Sequence, residues 1–390
     1  MSNQKSPENV SFTTLQFIVF SLVTAAFTTI YITQPVLPVL QAEFGVGEAR
    51  ASLTISAVIF GIALSNLPLG SAADRFPIRP MIAVGGFLVV ACSLICALTG
   101  SIAVLIAVRF VQGLFFPCLT TCVAAYLAKT LPRERLNVVM GSYVSATVAG
   151  GLGGRLLGGF IHPPLHWRYA FVTSAVLLLV TTLAACFLLP EEKKKDMDQS
   201  ESLGFLSLIA RPELLRIFLV AFSAFSVFSS TFNYLPFYLA TPHFGASTRV
   251  ITLMYFAYLV GVVMGPLAGN LSNRFGNGAV MALGAIVFGA SLCVTLIGAM
   301  PTVVIGLLGI CAGFFAIHAS AAGSLNRRLQ SSRGRANSLY VLFYYLGGFA
   351  GISVSGILYV SYGWPGIVAM GLGMLFIPLG SGLWEHVKGS

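Results

Sequence analysis

Long apolar stretches recur along the whole chain, each separated from the next by proline, glycine or charged residues. There are twelve of them, the first beginning near Thr14 and the last ending near Trp384. A helix needs about 20 mostly apolar residues to cross a hydrocarbon core about 30 Å thick, because each residue rises about 1.5 Å. The pattern therefore predicts an all-α integral membrane protein with 12 transmembrane helices.

Composition and charge agree with this prediction. Of 390 residues, 57% are hydrophobic and 9% are charged, whereas a soluble domain carries about 25% charged residues. Most of the 22 Lys and Arg residues fall in loops that lie on one side if the N-terminus is inside. Only Arg50, Arg168 and Arg249 fall in the opposite loops. This bias predicts that both termini are cytoplasmic, and it explains the net charge of +10 without a nucleic-acid partner.

The sequence shows no sign of cofactor or metal chemistry. All 7 cysteines lie within apolar stretches, which argues against disulfides and thiolate metal sites. His162 and His166 flank a proline pair that prevents a helical pair of metal ligands. The polar segment 1–10 lacks the pattern of a cleaved signal. We expect no metal, no cofactor and a first span that stays in the mature protein.

An internal repeat has an offset of about 200 residues. Residues 70–76, Gly-Ser-Ala-Ala-Asp-Arg-Phe, recur as residues 269–275, Gly-Asn-Leu-Ser-Asn-Arg-Phe. Residues 133–137 likewise recur as 333–337. Such a repeat indicates two related halves, and an even number of spans in each half makes the repeats parallel. The predicted domains are an N-terminal six-helix bundle (1–190), a cytoplasmic linker (191–212) and a C-terminal six-helix bundle (213–390).

Four motifs resemble those of the major facilitator superfamily. Gly70, Asp74-Arg75 and Arg79 match its loop signature after span 2, and Leu105-x-x-x-Arg109-x-x-Gln112-Gly113 matches its span 4 signature. Residues 150–159 resemble the antiporter signature, with Arg155 in place of the usual proline. Residues 31–38, Tyr-x-x-Gln-Pro-x-x-Pro, are similar to the arabinose-efflux branch of the drug-antiporter-like group.

The resemblance implies a secondary active transporter that works by alternating access. It would bind a small-molecule substrate, with protons as the candidate coupling ion, lie in membrane lipid as a monomer, and reside in a plasma membrane, here a bacterial inner membrane.

The loop after span 2 is expected to act as a conformational latch. In the family fold, Asp74 lies near the start of span 11, and a carboxylate stabilises a helix N-terminus by roughly 0.3–1 kcal/mol. An ordinary positive-inside loop is the alternative. Asn273 replaces the acidic residue in the second half, so the latch is predicted to be asymmetric. The predicted latch residues are Gly70, Asp74, Arg75, Arg79, Asn273 and Arg274.

Two arginines lie inside predicted spans. Arg109 is about 12 Å and Arg155 about 8 Å from the outer ends of their helices, at about 1.5 Å per residue. An arginine in a span costs at least roughly 2.5–3.5 kcal/mol and normally faces a polar cavity. The alternatives are that Arg109 caps backbone carbonyls and that Arg155 snorkels to the interface. All 12 acidic residues fall outside the span interiors, so we expect an electropositive cavity that prefers anionic or polar solutes.

Further polar residues interrupt otherwise apolar spans. His318 is the only histidine inside a predicted span, and we interpret it as a proton-coupling or substrate group or as a hydrogen-bonded helix contact. The others can line a cavity or bond a neighbouring helix. The full set of substrate-binding or coupling candidates is Gln34, Arg109, Gln112, Arg155, Asn233, Tyr234, His318, Tyr344 and Tyr345.

Glycine clusters occupy equivalent stretches of spans 5 and 11. Small residues let helix backbones approach closely, so we expect these helices to form contacts between the two halves. The predicted contact positions are Gly150, Gly154, Gly158, Gly159 and Gly351.

These patterns favour export of small organic compounds, anionic or polar, coupled to protons if coupled at all. An importer of organic anions fits the two arginines equally well. A polyspecific antiporter of lipophilic cations fits less well, because the spans lack a carboxylate. An enzyme is not expected, because no buried cluster of catalytic residues is visible.

Overall fold

The computed structural model describes residues 12–73, 75–131, 133–189, 204–329 and 332–389, and every regular element in these ranges is a helix. The first eight α-helices are α1 (Phe12–Ile30), α2 (Leu37–Phe44), α3 (Glu48–Ala72), α4 (Ile78–Leu98), α5 (Ile102–Phe115), α6 (Thr121–Thr130), α7 (Arg133–Ile161) and α8 (Arg168–Leu188). The other eight are α9 (Phe205–Ile209), α10 (Pro212–Ala240), α11 (Thr248–Met254), α12 (Val260–Phe275), α13 (Asn277–Val294), α14 (Met300–Arg327), α15 (Arg333–Tyr362) and α16 (Trp364–Gly389).

The described residues contain 12 spans that are long and apolar enough to cross a membrane, which confirms the predicted fold class. Span 1 (Phe12–Phe44) combines α1 and α2, span 4 (Ile102–Ala128) combines α5 and α6, and span 8 (Thr248–Phe275) combines α11 and α12. Each remaining span contains a single α-helix. We call spans 1 to 6 the N-terminal set and spans 7 to 12 the C-terminal set.

Span 1 is longer than the sequence predicts and is broken. The sequence suggests an end at Pro38, whereas the chain makes a 3₁₀ turn at Gln34–Val36 and then continues as α2 to Phe44. Pro35 and Pro38 each stand in the first turn of a new helical segment, where a proline is tolerated because its missing N–H has no partner to lose. The prolines therefore mark a break inside the span.

The internal repeat is visible in the packing of the helices. Span 1 packs on span 5, span 2 on span 4 and span 3 on span 6. The same pairings recur as span 7 on span 11, span 8 on span 10 and span 9 on span 12. The two sets therefore share one helix arrangement, as the sequence offset suggests.

Contacts between several pairs of spans join the two sets. Span 2 packs along span 11, span 5 packs on the first part of span 8, and span 7 packs on the turn and α2 of span 1. Between spans 2 and 11, the rings of Phe60 and Phe349 stack with centroids 4.3 Å apart. The contact of span 1 with span 7 and that of span 8 with span 5 lie at the face that carries the turns at residues 45–47 and 241–247. This is the predicted outer face.

The structure places most of the predicted contact glycines inside a set and not between sets. An added methyl group would strike carbonyl oxygens of span 1 at Gly150, Gly154 and Gly158, and the carbonyl of Ser226 in α10 at Gly351. These glycines therefore bring span 5 against span 1 and span 11 against span 7. Gly159 does lie between sets, because its neighbour is Thr252 of α11. The similar spacing of small residues in spans 5 and 11 reflects the equivalent packing of these helices, of span 5 on span 1 and of span 11 on span 7.

Two predicted features fall wholly or mainly outside the described residues. Asp74 of the predicted latch is one, and residues 191–203 of the predicted linker are the other. The described end of that linker contains the short helix α9.

Candidate functional site

Arg109 in span 4 is fully buried inside the N-terminal set. Its Nε donates to the carbonyl of Thr54 at 2.9 Å, and its Nη1 donates to the carbonyl of Thr29 at 2.6 Å. Its Nη2 donates to the carbonyl of Ile30. Thr29 and Ile30 end α1, where helix carbonyls have no partner within the helix. Arg109 therefore caps the broken end of α1, in line with the alternative reading of the sequence.

Gln112 extends this cap to span 3. Its Oε1 accepts from Arg109 Nη1 at 2.5 Å, and its Nε2 donates to Ser93 Oγ at 2.8 Å. All three residues are buried. Arg109 and Gln112 thus form a hydrogen-bond network that joins spans 1, 2, 3 and 4 within the N-terminal set. These bonds give both side chains a structural role.

Arg155 in span 5 lies between the two sets. Its Nε donates to Gln34 Oε1 at 2.6 Å, and its Nη2 donates to the hydroxyl of Tyr258 in span 8 at 2.9 Å. The guanidinium lies over the ring of Tyr31 at 3.8 Å and over that of Tyr258 at 4.2 Å. Arg155 is only 3% exposed, so it is held by buried side chains and does not reach the membrane surface.

The two arginines share span 1 but no partner. Arg109 bonds the end of α1, and Arg155 contacts Tyr31 and Gln34, the residues that follow. Among the described residues, the ion pairs involve other arginines and His166, and no carboxylate lies within ion-pair distance of either guanidinium. Aromatic faces and neutral oxygen atoms surround both guanidinium groups. These neighbours attract a cation but do not neutralise its charge.

Asn233 and Tyr234 lie next to each other in span 7 and differ in how they are bonded. The Tyr234 hydroxyl donates to the carbonyl of Ile352 in span 11 at 3.1 Å. Asn233 is fully buried, and neither its Oδ1 nor its Nδ2 has a hydrogen-bond partner among the described residues. Tyr234 therefore bonds to span 11, whereas Asn233 is a buried amide for which the described residues offer no partner.

His318 belongs to an aromatic cluster in the C-terminal set. Its Nδ1 lies 3.0 Å from the hydroxyl of Tyr340. Tyr344 stacks on Phe225 with centroids 3.7 Å apart, and Tyr345 meets the same ring edge-on at 6.2 Å. The cluster reaches the Arg155 site through Phe228, whose ring lies 5.2 Å from that of Tyr258. His318 thus has both an aromatic neighbourhood and one polar partner.

The described latch residues lie at the opposite face and mostly contact their own set. Arg79 Nε donates to the carbonyl of Leu189 at 2.7 Å, and Asn273 Oδ1 accepts from Arg327 Nη2 at 3.1 Å. Arg75 and Arg274 are exposed, and Gly70 packs on Thr121. Asn273, at the position equivalent to Asp74, therefore accepts a hydrogen bond from an arginine of its own C-terminal set.

Sequence reasoning missed several residues of the site. Tyr31, Tyr255 and Tyr258 surround the Arg155 guanidinium. Elsewhere between the sets, Asn66 of span 2 donates to the carbonyl of Ser338 in span 11 at 3.5 Å. Tyr255 and Tyr258 stand three residues apart in an apolar span. That spacing, on a helix paired by the repeat, is the signal that could have revealed them.

Twelve spans in two similarly packed sets, with a buried cation at the contact between the sets, define a multi-pass membrane transporter. The chain belongs to the Major Facilitator Superfamily, whose family model matches residues 19–277 and 240–384. Members of this family bind small-molecule substrates, and family and fold point to a transporter without enzymatic activity.

Relatives and solved structures agree with this assignment. The chain is 29% identical over 381 residues to the inner membrane transport protein YnfM of Escherichia coli K12, covering 94% of this chain and 89% of that protein. It is 25% identical over 372 residues to the uncharacterized MFS-type transporter YybF of Bacillus subtilis 168, covering 93% and 91%. The fold matches an inward-facing, unoccupied bacterial homologue of the human lysosomal transporter Spinster with a TM-score of 0.75, 15% identity and coverage of 97% and 95%. It also matches the human organic anion transporter MFSD10 with a TM-score of 0.69, 19% identity and coverage of 97% and 100%.

Proposed function

We propose that the chain is a secondary active transporter of small organic anions and that Arg155 holds the anion during alternating access. One observation carries this proposal: the Arg155 guanidinium lies between the two sets, and its partners in the described part of the chain are all neutral. A buried cation without a counter-ion is a ready binding site for an anion, because charge-assisted hydrogen bonds are strong where water is excluded.

The bonds of Arg155 suggest how binding couples to movement. Its Nη2 crosses to Tyr258 of the C-terminal set, while its Nε stays with Gln34 of the N-terminal set. Separation of the sets at this face breaks the bond to Tyr258 and frees a donor for a carboxylate. A bound anion then neutralises the guanidinium, which lowers the cost of burying it when the sets close again.

The proposal also covers the direction of transport, its coupling to protons and the membrane in which the protein lies. We place the chain in the drug-antiporter-like group, as a monomer with cytoplasmic termini in the bacterial inner membrane, where the relative YnfM is named as a transport protein. Export is the favoured direction, and His318 with Tyr340 is the proposed proton-coupling pair. Import of organic anions would use the same Arg155 geometry. Antiport of lipophilic cations is disfavoured, because Arg155 would repel them.

Flux in proteoliposomes tests the proposal. Labelled benzoate, succinate and gluconate, the lipophilic cation tetraphenylphosphonium and neutral arabinose are compared for wild type, Arg155→Gln and Arg155→Lys. We expect flux of at least one anion, lost in Arg155→Gln and partly kept in Arg155→Lys. Arg50→Gln is the matched control, because Arg50 is exposed at the predicted outer face. Flux of the cation with none of the anions would overturn the proposal.

A further inference from the structure

The amide of Asn233 is a buried polar group that makes no hydrogen bond with the described part of the chain. The residue is 0% exposed, and both of its side-chain polar atoms lack a partner among the described residues. Other buried polar residues of the same helix are bonded: Thr231 Oγ1 donates to the carbonyl of Val227 at 2.8 Å, and Ser230 Oγ donates to that of Ser226 at 2.7 Å. Buried polar groups are nearly always bonded, so an exception requires an explanation.

The direction of Asn233 follows from its neighbours on span 7. Phe232 faces span 8, where its ring lies 4.6 Å from that of Tyr258, and Tyr234 faces span 11 through its bond to Ile352. Asn233 lies between these two directions. One helical turn further on, Phe237 lines a crevice of about 210 Å³ together with Pro38 of span 1.

Residues four apart share a helix face, so Asn233 lies on the face of span 7 that carries Phe237, one turn deeper in the span. Gln34 stands four residues before Pro38 on the other wall, and span 7 packs on the turn that begins with Gln34. Asn233 therefore belongs to the helix that packs beside the part of span 1 that Arg155 contacts.

The internal repeat supports the same placement. Gln34 and Asn233 are 199 residues apart, which is also the offset between Gly70 and Gly269. The turns that follow spans 1 and 7 repeat at an offset of 200, from Gly45 to Gly245, so the two amides lie within one residue of equivalent positions. Gln34 is bonded to Arg155 at 2.6 Å, whereas Asn233 has no partner among the described residues.

We propose that Asn233 is a specificity-determining residue that hydrogen-bonds a neutral donor–acceptor group of the transported anion. A side-chain amide offers both a donor and an acceptor, which a hydroxyl or an amide on the cargo can satisfy together. The substrate class is therefore small carboxylates that carry a hydroxyl or amide group, with the carboxylate at Arg155. This inference rests on the proposed function.

A site built to bond a hydroxyl discriminates strongly against the analogue that lacks it, because the group in the site is then left unpaired. The test measures how well each member of three pairs inhibits anion flux in proteoliposomes: lactate and propionate, glycolate and acetate, 4-hydroxybenzoate and benzoate. In wild type we expect the hydroxylated member to be preferred by at least about tenfold in one pair. Asn233→Leu, which keeps the side-chain size, should remove that preference by weakening the hydroxylated member.

The matched control is Thr231→Val, two residues away, because Thr231 is equally buried but bonded within its own helix. It should leave the preference unchanged, and thermal unfolding in detergent shows whether each variant is folded. An Asn233→Leu protein with the wild-type preference overturns the inference, as does a wild type without preference in any pair. If anion flux depends on Arg155 and only the preference fails, the proposed function stands; if wild type moves no anion, both fail.

Discussion

Arg155 of span 5 and Tyr258 of span 8 join the two sets through a hydrogen bond of 2.9 Å, and the guanidinium also lies 4.2 Å from the centre of the Tyr258 ring. The first contact needs the hydroxyl and the second needs only the ring. Substitutions at this tyrosine can therefore separate hydrogen bonding from stacking.

Replacement of Tyr258 by phenylalanine should favour separation of the sets at the predicted outer face. The ring stays, but a hydrogen bond to a charged group is lost, and such bonds contribute about 1.5–3 kcal/mol. Distances between spin labels at the ends of spans 5 and 8 would measure the shift. Tyr255→Phe is the control, since the Tyr255 hydroxyl donates at 3.2 Å to Phe232 within the C-terminal set. Equal distance distributions for both variants would contradict the prediction.

Loss of Arg109 should destabilise the fold, whereas loss of Arg155 should mainly reduce transport. Arg109→Gln leaves carbonyls of Thr29, Ile30 and Thr54 without their donor, and each unpaired buried group costs about 1–3 kcal/mol. We expect a clear decrease in the unfolding temperature for Arg109→Gln and a smaller one for Arg155→Gln. An Arg109→Gln protein as stable as wild type would show that the cap is dispensable.

Two glycines of α7 should respond oppositely to alanine. At Gly158 the added methyl group meets the carbonyl oxygen of Ile32, and at Gly141 it meets nothing within 4 Å. Overpacking typically costs about 1–3 kcal/mol, whereas alanine is favoured over glycine inside a helix by roughly 0.5–1 kcal/mol. Thermal unfolding of the two variants should therefore move in opposite directions. A neutral Gly158→Ala would mean that spans 1 and 5 separate at little cost.

Replacement of His318 by glutamine should uncouple transport from a proton gradient. Glutamine can still bond the Tyr340 hydroxyl, which lies 3.0 Å from the imidazole, but it cannot take up a proton. We expect anion exchange between equal concentrations to persist and accumulation driven by a pH gradient to be lost. His243→Gln is the control, because His243 is exposed and bonds the carbonyl of Gly298. Undiminished gradient-driven accumulation in His318→Gln would exclude this role.

The sequence predicts the spans and the repeat well because both depend on length and order along the chain. It could not distinguish the roles of Arg109 and Arg155, since depth is readable from the sequence but direction around the helix is not. In a soluble protein a polar face shows that direction. Here the contacts with lipid and with neighbouring helices are both apolar. The sequence therefore does not show that Arg109 faces α1 or that Arg155 faces Tyr258.

The aromatic cluster was hidden for the same reason. Phe225, Phe228 and Phe314 are ordinary residues of apolar spans, and only the assembled helices bring them beside His318 and Tyr344. Asn233 was visible as a polar interruption, but its lack of a partner is a property of the fold. Single polar residues can be located from sequence, whereas their partners, or the absence of partners, depend on packing.

The break in span 1 has a consequence for where the molecule bends. Span 5 carries Arg155 where the antiporter signature has a helix-breaking proline, and α7 runs without interruption through 29 residues. Span 1 instead has prolines at 35 and 38 and a change of helix type between them. We therefore expect the N-terminal set to bend at the break of span 1, and at the similar break of span 4 around Pro117, and not along the continuous helix of span 5. Both arginines bond residues beside the break of span 1.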